Sequence, residues 1–141
     1  MKTLLTAFII LCGAVLLAVP GQCDEKPREE KVVRADVGSD GVQRVSIVGG
    51  GYFFTPTQVI VRVNIPVEFK VTKESGVVPH NIVIKAPDAG IDIEESLSTD
   101  PKIIRFTPTK AGRYPFYCGK KLLFFESHRE KGMEGVLDVT D

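Results

Sequence analysis

Alternation of apolar and polar residues is the property that most narrows what this chain can become. Val59, Val61 and Val63 fall on one face of a run whose other face carries Gln58 and Arg62. Val67, Phe69 and Val71 alternate with Glu68, Lys70 and Thr72, and Asn64-Ile65-Pro66 makes a turn between the two runs. Successive side chains of an extended strand point to opposite faces, so such runs bury one face and wet the other. Residues 43–48, 80–85, 102–107, 113–118 and 135–140 read as further strands, with Gly49-Gly50-Gly51 breaking the first of them. Short strands at this spacing, punctuated by Gly, Pro and Asn, predict an all-β sandwich or barrel. Residues 86–101 are polar and acidic and read as a long loop with room for one helical turn at 94–97. Asp88, Asp92, Glu94 and Glu95 would then form a solvated acidic face.

The chain has 141 residues, of which 43% are hydrophobic and 26% charged. That suffices for one domain with a real core and not for two. Lys2 followed by the apolar stretch 4–19 and the small-x-small sequence Val19-Pro20-Gly21 reads as an export signal. An uncleaved anchor is the competing reading, but the stretch falls short of the roughly 20 apolar residues a span needs. Cys23 offers a third, a lipidated N-terminus, although Gln22 before it is not the small residue expected there. The expected layout is a signal at 1–21, a flexible charged linker at 22–42 with a short strand at 31–35, and one β domain at 43–141. Without Lys2 the 18 acidic residues outnumber the basic ones by one. Nothing in that balance suits a nucleic-acid partner.

Within this β framework one donor set stands out. His80, Cys118, His128 and Met133 account for both histidines, the one cysteine beyond residue 23, and the one methionine besides Met1. Between them lie 37, 9 and 4 residues. A thiolate, two imidazoles and a thioether form the ligand set of a mononuclear copper site with Met as weak axial ligand. Zinc also takes Cys and His, but a carboxylate rather than a thioether would be its usual fourth ligand. Taken singly, each residue has a bland account: Cys as a small hydrophobe, Met as a gap filler, His as a satisfied core residue. Jointly those accounts fail against the ordered spacing. His80 shares its strand face with Ile82 and Ile84, and Cys118 shares its own with Tyr114 and Phe116, so both aim with core residues at strand ends. Removal of the signal takes Cys12 with it, leaving Cys118 no disulfide partner but Cys23.

From Tyr52 to Thr140 the sequence resembles the cupredoxins. The resemblance is carried by the run from Phe54 to Val63, by Pro79-His80-Asn81, by the stretch from Gly112 through Tyr114 and Phe116 to Cys118, and by His128-x4-Met133-x-Gly135. It implies a Greek-key β-sandwich with one copper ion near one end, cycling between Cu(I) and Cu(II). It further implies His80, Cys118 and His128 as the strong equatorial ligands and Met133 as the axial one. Asn81 would stand behind them, its backbone amide donating to the Cys118 sulfur and tuning the potential. The expected protein is a monomeric exported electron carrier, periplasmic or secreted, docking transiently on a redox protein. It meets a membrane, if at all, through its N-terminus. A periplasmic copper-sequestering or delivery protein would use the same residues.

Two departures from the family pattern matter. Small electron-transfer cupredoxins separate their Cys and His by two to four residues, whereas nine separate Cys118 from His128, closer to the type 1 domain of copper nitrite reductases. A longer loop changes how tightly a site is constrained, which suggests a perturbed, greenish spectrum rather than a pure blue one. The residue after the cysteine is Gly119, where the family often has a hydroxyl or carboxyl side chain bracing the Asn, so that brace is expected to be missing. The chain has no further histidines for a second copper and one cysteine where a binuclear oxidase centre needs two, so no enzyme activity is expected. Inside the loop, Leu122 to Phe125 is either folded back as core or a short helix, or an apolar docking patch beside His128. Lys120, Lys121, Arg129 and Lys131 could steer an acidic partner, but Glu126, Glu130 and Glu134 dilute that field.

Overall fold

A computed structural model describes residues 31–141. The expected export signal at 1–21 and residues 22–30 of the expected linker lie outside the described residues. Ten strands follow in order: β1 (Val32–Arg34), β2 (Gln43–Gly50), β3 (Phe53–Thr55), β4 (Gln58–Arg62), β5 (Val67–Lys73), β6 (Asn81–Ala86), β7 (Ile91–Ser96), β8 (Lys102–Phe106), β9 (Gly112–Tyr117) and β10 (Glu134–Thr140). They form two mixed sheets, one ordered β1-β4-β10-β9-β6-β7 and the other β3-β2-β5-β8. The protein is an all-β sandwich, as the alternation predicts, with the Greek-key arrangement that the resemblance implies.

The inward residues of the two sheets make one core. Val45, Ile47, Phe69 and Val71 come from one sheet, and Val59, Val61, Ile82, Ile84, Phe116, Leu137 and Val139 from the other. Phe54 and Phe116 meet edge-on across the layers with ring centroids 5.4 Å apart. Polar needs inside are met: buried Gln43 donates to the carbonyls of Arg62 and Ile65 and accepts from the Arg62 amide at 2.6 Å. That one side chain clamps the turn between β4 and β5, where Asn64 takes a positive φ of 59°.

The short strand expected at 31–35 is present as β1, and one expectation further along the chain needs correction. β1 pairs in parallel with β4, the Ala35 amide donates to the Ile60 carbonyl at 2.9 Å, and Ala35 is buried. Val32 and Val33 supply enough β-forming side chain for an edge strand in spite of the charges around them. The triple glycine ends β2 as expected, the strand stopping at Gly50 and Gly51 turning away with a φ of 49°. A Cβ on Gly49 would stand 2.8 Å from Leu97 Cδ1 and 3.2 Å from Met133 Cε, so the glycine admits side chains from across the sandwich. Finally, residues 86–101 are not a long loop. One 3-10 turn (Pro87–Ala89) leads into β7, which pairs antiparallel with β6 and buries Ile91 and Ile93. Its acids are paired: Lys85 holds Asp92 and Glu94 at 2.9 and 3.3 Å, and Lys102 holds Glu95 at 2.9 Å.

Candidate metal centre

Register brings the four sequence-selected residues to one end of the larger sheet. β6 and β9 run antiparallel with Val83 opposite Tyr117, so His80, just before β6, and Cys118, just after β9, fall at the same edge. β9 and β10 are antiparallel with Glu134 opposite Tyr117. Met133 therefore lies opposite Cys118, and the Cys118 amide donates to the Met133 carbonyl at 3.0 Å. His128 joins through its own backbone: its N–H donates to the Lys120 carbonyl and its carbonyl accepts from the Met133 amide, both at 2.9 Å. All four residues are buried.

The donor atoms converge. Nδ1 of His80 lies 3.1 Å from Nδ1 of His128, and Cys118 Sγ lies 3.9 and 3.4 Å from those two nitrogens. A point equidistant from all three sits about 2 Å from each, near the roughly 2.0 to 2.3 Å at which N and S ligands hold a first-row ion such as zinc. Among the described residues this is the one group of three or more His, Cys, Asp or Glu side chains so arranged, and no carboxylate takes part. Burial pushes both imidazoles below the ordinary histidine value, reinforced at His80 by His128 and then Lys73, and at His128 by Lys131. Neutral rings keep a lone pair free to offer. A soft sulfur with two imidazoles suits copper, and the buried Met133 lies next in the backbone to two of the three donors.

Behind the donors stands a small hydrogen-bond frame. The Asn81 amide lies 3.5 Å from Cys118 Sγ and donates to it. Asn81 Oδ1 in turn accepts from the Gly119 amide at 2.7 Å. The brace expected to be missing at Gly119 is thus present, supplied by backbone where a side chain was sought. The His80 carbonyl accepts from the Leu97 amide at 2.9 Å, tying the first histidine to the residue after β7.

Tyr52 is a site residue that spacing does not reveal. It sits in the β2–β3 turn with φ at 64°, and its ring meets His128 edge-on at 4.9 Å and His80 at 6.3 Å. Lys131 Nζ lies 4.5 Å from the same ring, and the Arg129 guanidinium 4.2 Å from Tyr117, both cation–π distances. The contact crosses from one sheet to the other, so no local pattern announces it.

The segment Leu122 to Phe125 is neither core nor helix. Its four side chains are 63%, 75%, 99% and 63% exposed. The Phe125 amide donates to the Leu122 carbonyl at 3.0 Å, and Leu123 takes a φ of 46°, so the four residues close a tight turn that throws their side chains outward. Of the charges around it, Arg129 pairs with Glu134 at 3.0 Å, and Glu130 accepts from the Ser127 amide at 2.6 Å.

No protein-family model and no curated protein matches the sequence. Solved structures do match the fold. The metal-binding domain of the Streptococcus pneumoniae D39 Cu(I)-exporting P-type ATPase CopA is 23% identical with a TM-score of 0.61, over 79% of this chain and 97% of that one. Auracyanin A, a "blue" copper protein from Chloroflexus aurantiacus, is 19% identical with a TM-score of 0.53, over 71% and 100%. The copper-containing nitrite reductase of Thermus scotoductus SA-01 is 19% identical with a TM-score of 0.52, over 78% of this chain and 28% of that one. The chain has the cupredoxin fold, and the His80–Cys118–His128 cluster at one end of its sandwich fits a single copper ion of the type 1 kind.

Proposed function

We propose that this chain is an exported, monomeric carrier of single electrons. His80, Cys118 and His128 would be the strong ligands of one copper ion and Met133 the weak axial one. When bound, copper supplies a one-electron Cu(I)/Cu(II) couple. The residues around it hold the donor atoms still. Asn81 fixes the sulfur through its amide, Gly119 fixes Asn81, and Tyr52 wedges against both imidazoles. A frame that changes little between two charge states lowers the cost of exchanging an electron. The observation that carries this reading is the buried triangle of two Nδ1 atoms and one Sγ with sides of 3.1 to 3.9 Å. Both histidines of the chain are spent in that triangle, leaving none for a catalytic second copper, so we read the protein as a carrier and not an enzyme. Its partner would be a redox protein met transiently, outside the cytoplasm, in keeping with an N-terminal sequence that reads as an export signal.

A second reading has support from one neighbour: a copper store or delivery protein, since the S. pneumoniae domain above belongs to a Cu(I) exporter. Two measurements test the pair. Copper(II) loading should produce an intense visible thiolate-to-copper band and a narrow-hyperfine EPR signal, and Cys118→Ser should abolish both. Absence of the band in the wild type would end the type 1 assignment. Rapid electron exchange with a soluble cytochrome, without transfer of the metal, supports the carrier. Transfer of copper to a chelating acceptor on the same timescale supports delivery.

A further inference from the structure

Six exposed apolar side chains gather at the histidine end of the sandwich. Leu122, Leu123, Phe124 and Phe125 crown one turn, and Val77 (99% exposed) and Val78 (39%) crown another. Val77 stands three residues before His80 and Phe125 three before His128, and the two imidazoles are 3.1 Å apart at Nδ1, so both tips rise beside one site. Isolated exposed apolar residues are ordinary, but two tips flanking one site are not scatter. Both are built. The first is pinched shut by the His128–Lys120 backbone bond, and the second is held by Lys73 Nζ donating to the Gly76 and Val78 carbonyls.

We propose that this end of the molecule seats on an anionic lipid bilayer, with the two tips entering the headgroup region. The shape favours lipid over protein. A side chain 99% exposed has almost nothing beside it, so Phe124 and Val77 are protrusions. A protein partner would need a pocket matched to each, whereas lipid closes around any apolar wedge. Charge points the same way. Lys120 and Lys121 stand at the base of the larger tip, with Lys131 and Arg129 behind it and Lys73 under the smaller. Against them stand Glu126, Glu130 and Glu134, with Glu74 beside Lys73; Glu134 cancels Arg129 in an ion pair and the Ser127 bonds keep Glu130 ionised, so the positive excess is a single charge and comes from the Lys120–Lys121 pair. Basic residues around an apolar wedge are the pattern of a peripheral membrane contact. The contact is interfacial: among the described residues no helix is long and apolar enough to cross a membrane. The inference does not depend on what the site binds.

Flotation of the full chain with vesicles decides it. On phosphatidylglycerol–phosphatidylethanolamine vesicles the wild type should float, and Leu123→Ser/Phe124→Ser should partition at least about tenfold less, since two large apolar side chains leave the interface. Val77→Ser should lose several-fold, independently of the larger tip. Lys120→Gln/Lys121→Gln should weaken binding to these vesicles and leave the weaker binding to phosphatidylcholine vesicles unchanged. Residues 1–30 are the same in every variant, so differences report the tips alone. Equal flotation of wild type and the double serine variant overturns the proposal. So does failure of the wild type to float, whether it stays monomeric, pairs with a second copy through the tip, or binds only a soluble redox protein. The copper band is read separately, so this inference and the carrier reading fail separately.

Discussion

Cys118 and Phe124 stand six residues apart in opposite physical situations. Cys118 is fully buried, its amide bonded to Met133 and its sulfur accepting from Asn81. Phe124 is 99% exposed on a turn attached to the site by one backbone bond between His128 and Lys120. The difference teaches that distance along the chain is not slack at the site. Nine residues separate Cys118 from His128, yet the loop leaves and returns at the same place, and His128 is held at both its N–H and its C=O. The long loop is an outgrowth beside the site.

The wall side of this comparison can be broken most severely at Gly135. A Cβ there would lie 2.3 Å from Phe116 Cζ and 2.6 Å from the Thr57 carbonyl, one a core ring and the other backbone. Gly135→Ala should therefore cost about 3 kcal/mol of unfolding free energy, at the upper end of overpacking effects, and be visible in denaturant titration. A variant as stable as wild type would show that the wall yields. Asn81→Ala comes next. It removes the acceptor of the Gly119 amide, and an unpartnered, part-buried N–H costs about 1 to 3 kcal/mol. The same variant should shift the copper band and the reduction potential, because Asn81 stands between Gly119 and the sulfur. Loss of stability with an unmoved spectrum would make Asn81 a purely structural residue.

Much of that wall was legible in the sequence. Donor softness and spacing picked out His80, Cys118 and His128, and strand parity placed His80 and Cys118 at strand ends, because period 2 turns sequence position into direction. What escaped notice did so for identifiable reasons. β7 was hidden by its acids: Ile91 and Ile93 do alternate, but Asp92, Glu94 and Glu95 made the segment look like loop until Lys85 and Lys102 paired with them. Tyr52 reaches the histidines across the two sheets, a contact that no local period encodes. The brace on Asn81 is a backbone amide, which every residue but proline carries, so its side-chain-free source at Gly119 left no trace. The run from Leu122 to Phe125 misled because apolar runs are usually buried, and this one is exposed.

Met133→Leu probes the wall more gently. Leucine nearly conserves the volume of a fully buried side chain that packs near Gly49, so the cost should stay under about 1.5 kcal/mol. Copper should be retained and the reduction potential raised, since a weak donor to Cu(II) is lost while the thiolate and imidazoles remain. Protein-film voltammetry measures the shift, and complete loss of copper would instead assign Met133 an indispensable structural part.

The smallest effect separates the two regions best. Phe124→Ser removes a ring that packs on almost nothing, so stability should stay within about 0.5 kcal/mol of wild type. The thiolate-to-copper band should not move, because the backbone path from the tip to the site is closed at Lys120 and His128. A moved band would mean that the turn bears on the His128 ring through contacts made by Phe124 itself, and would return the loop to the site. An unmoved band with unchanged stability leaves the exposed ring without a part in folding or in holding the metal. Four exposed apolar residues in a row tend to drive association, and a chain gains nothing inside itself by presenting them. Among the described residues nothing covers them, and whether a lipid surface does is the question that the vesicle experiment asks.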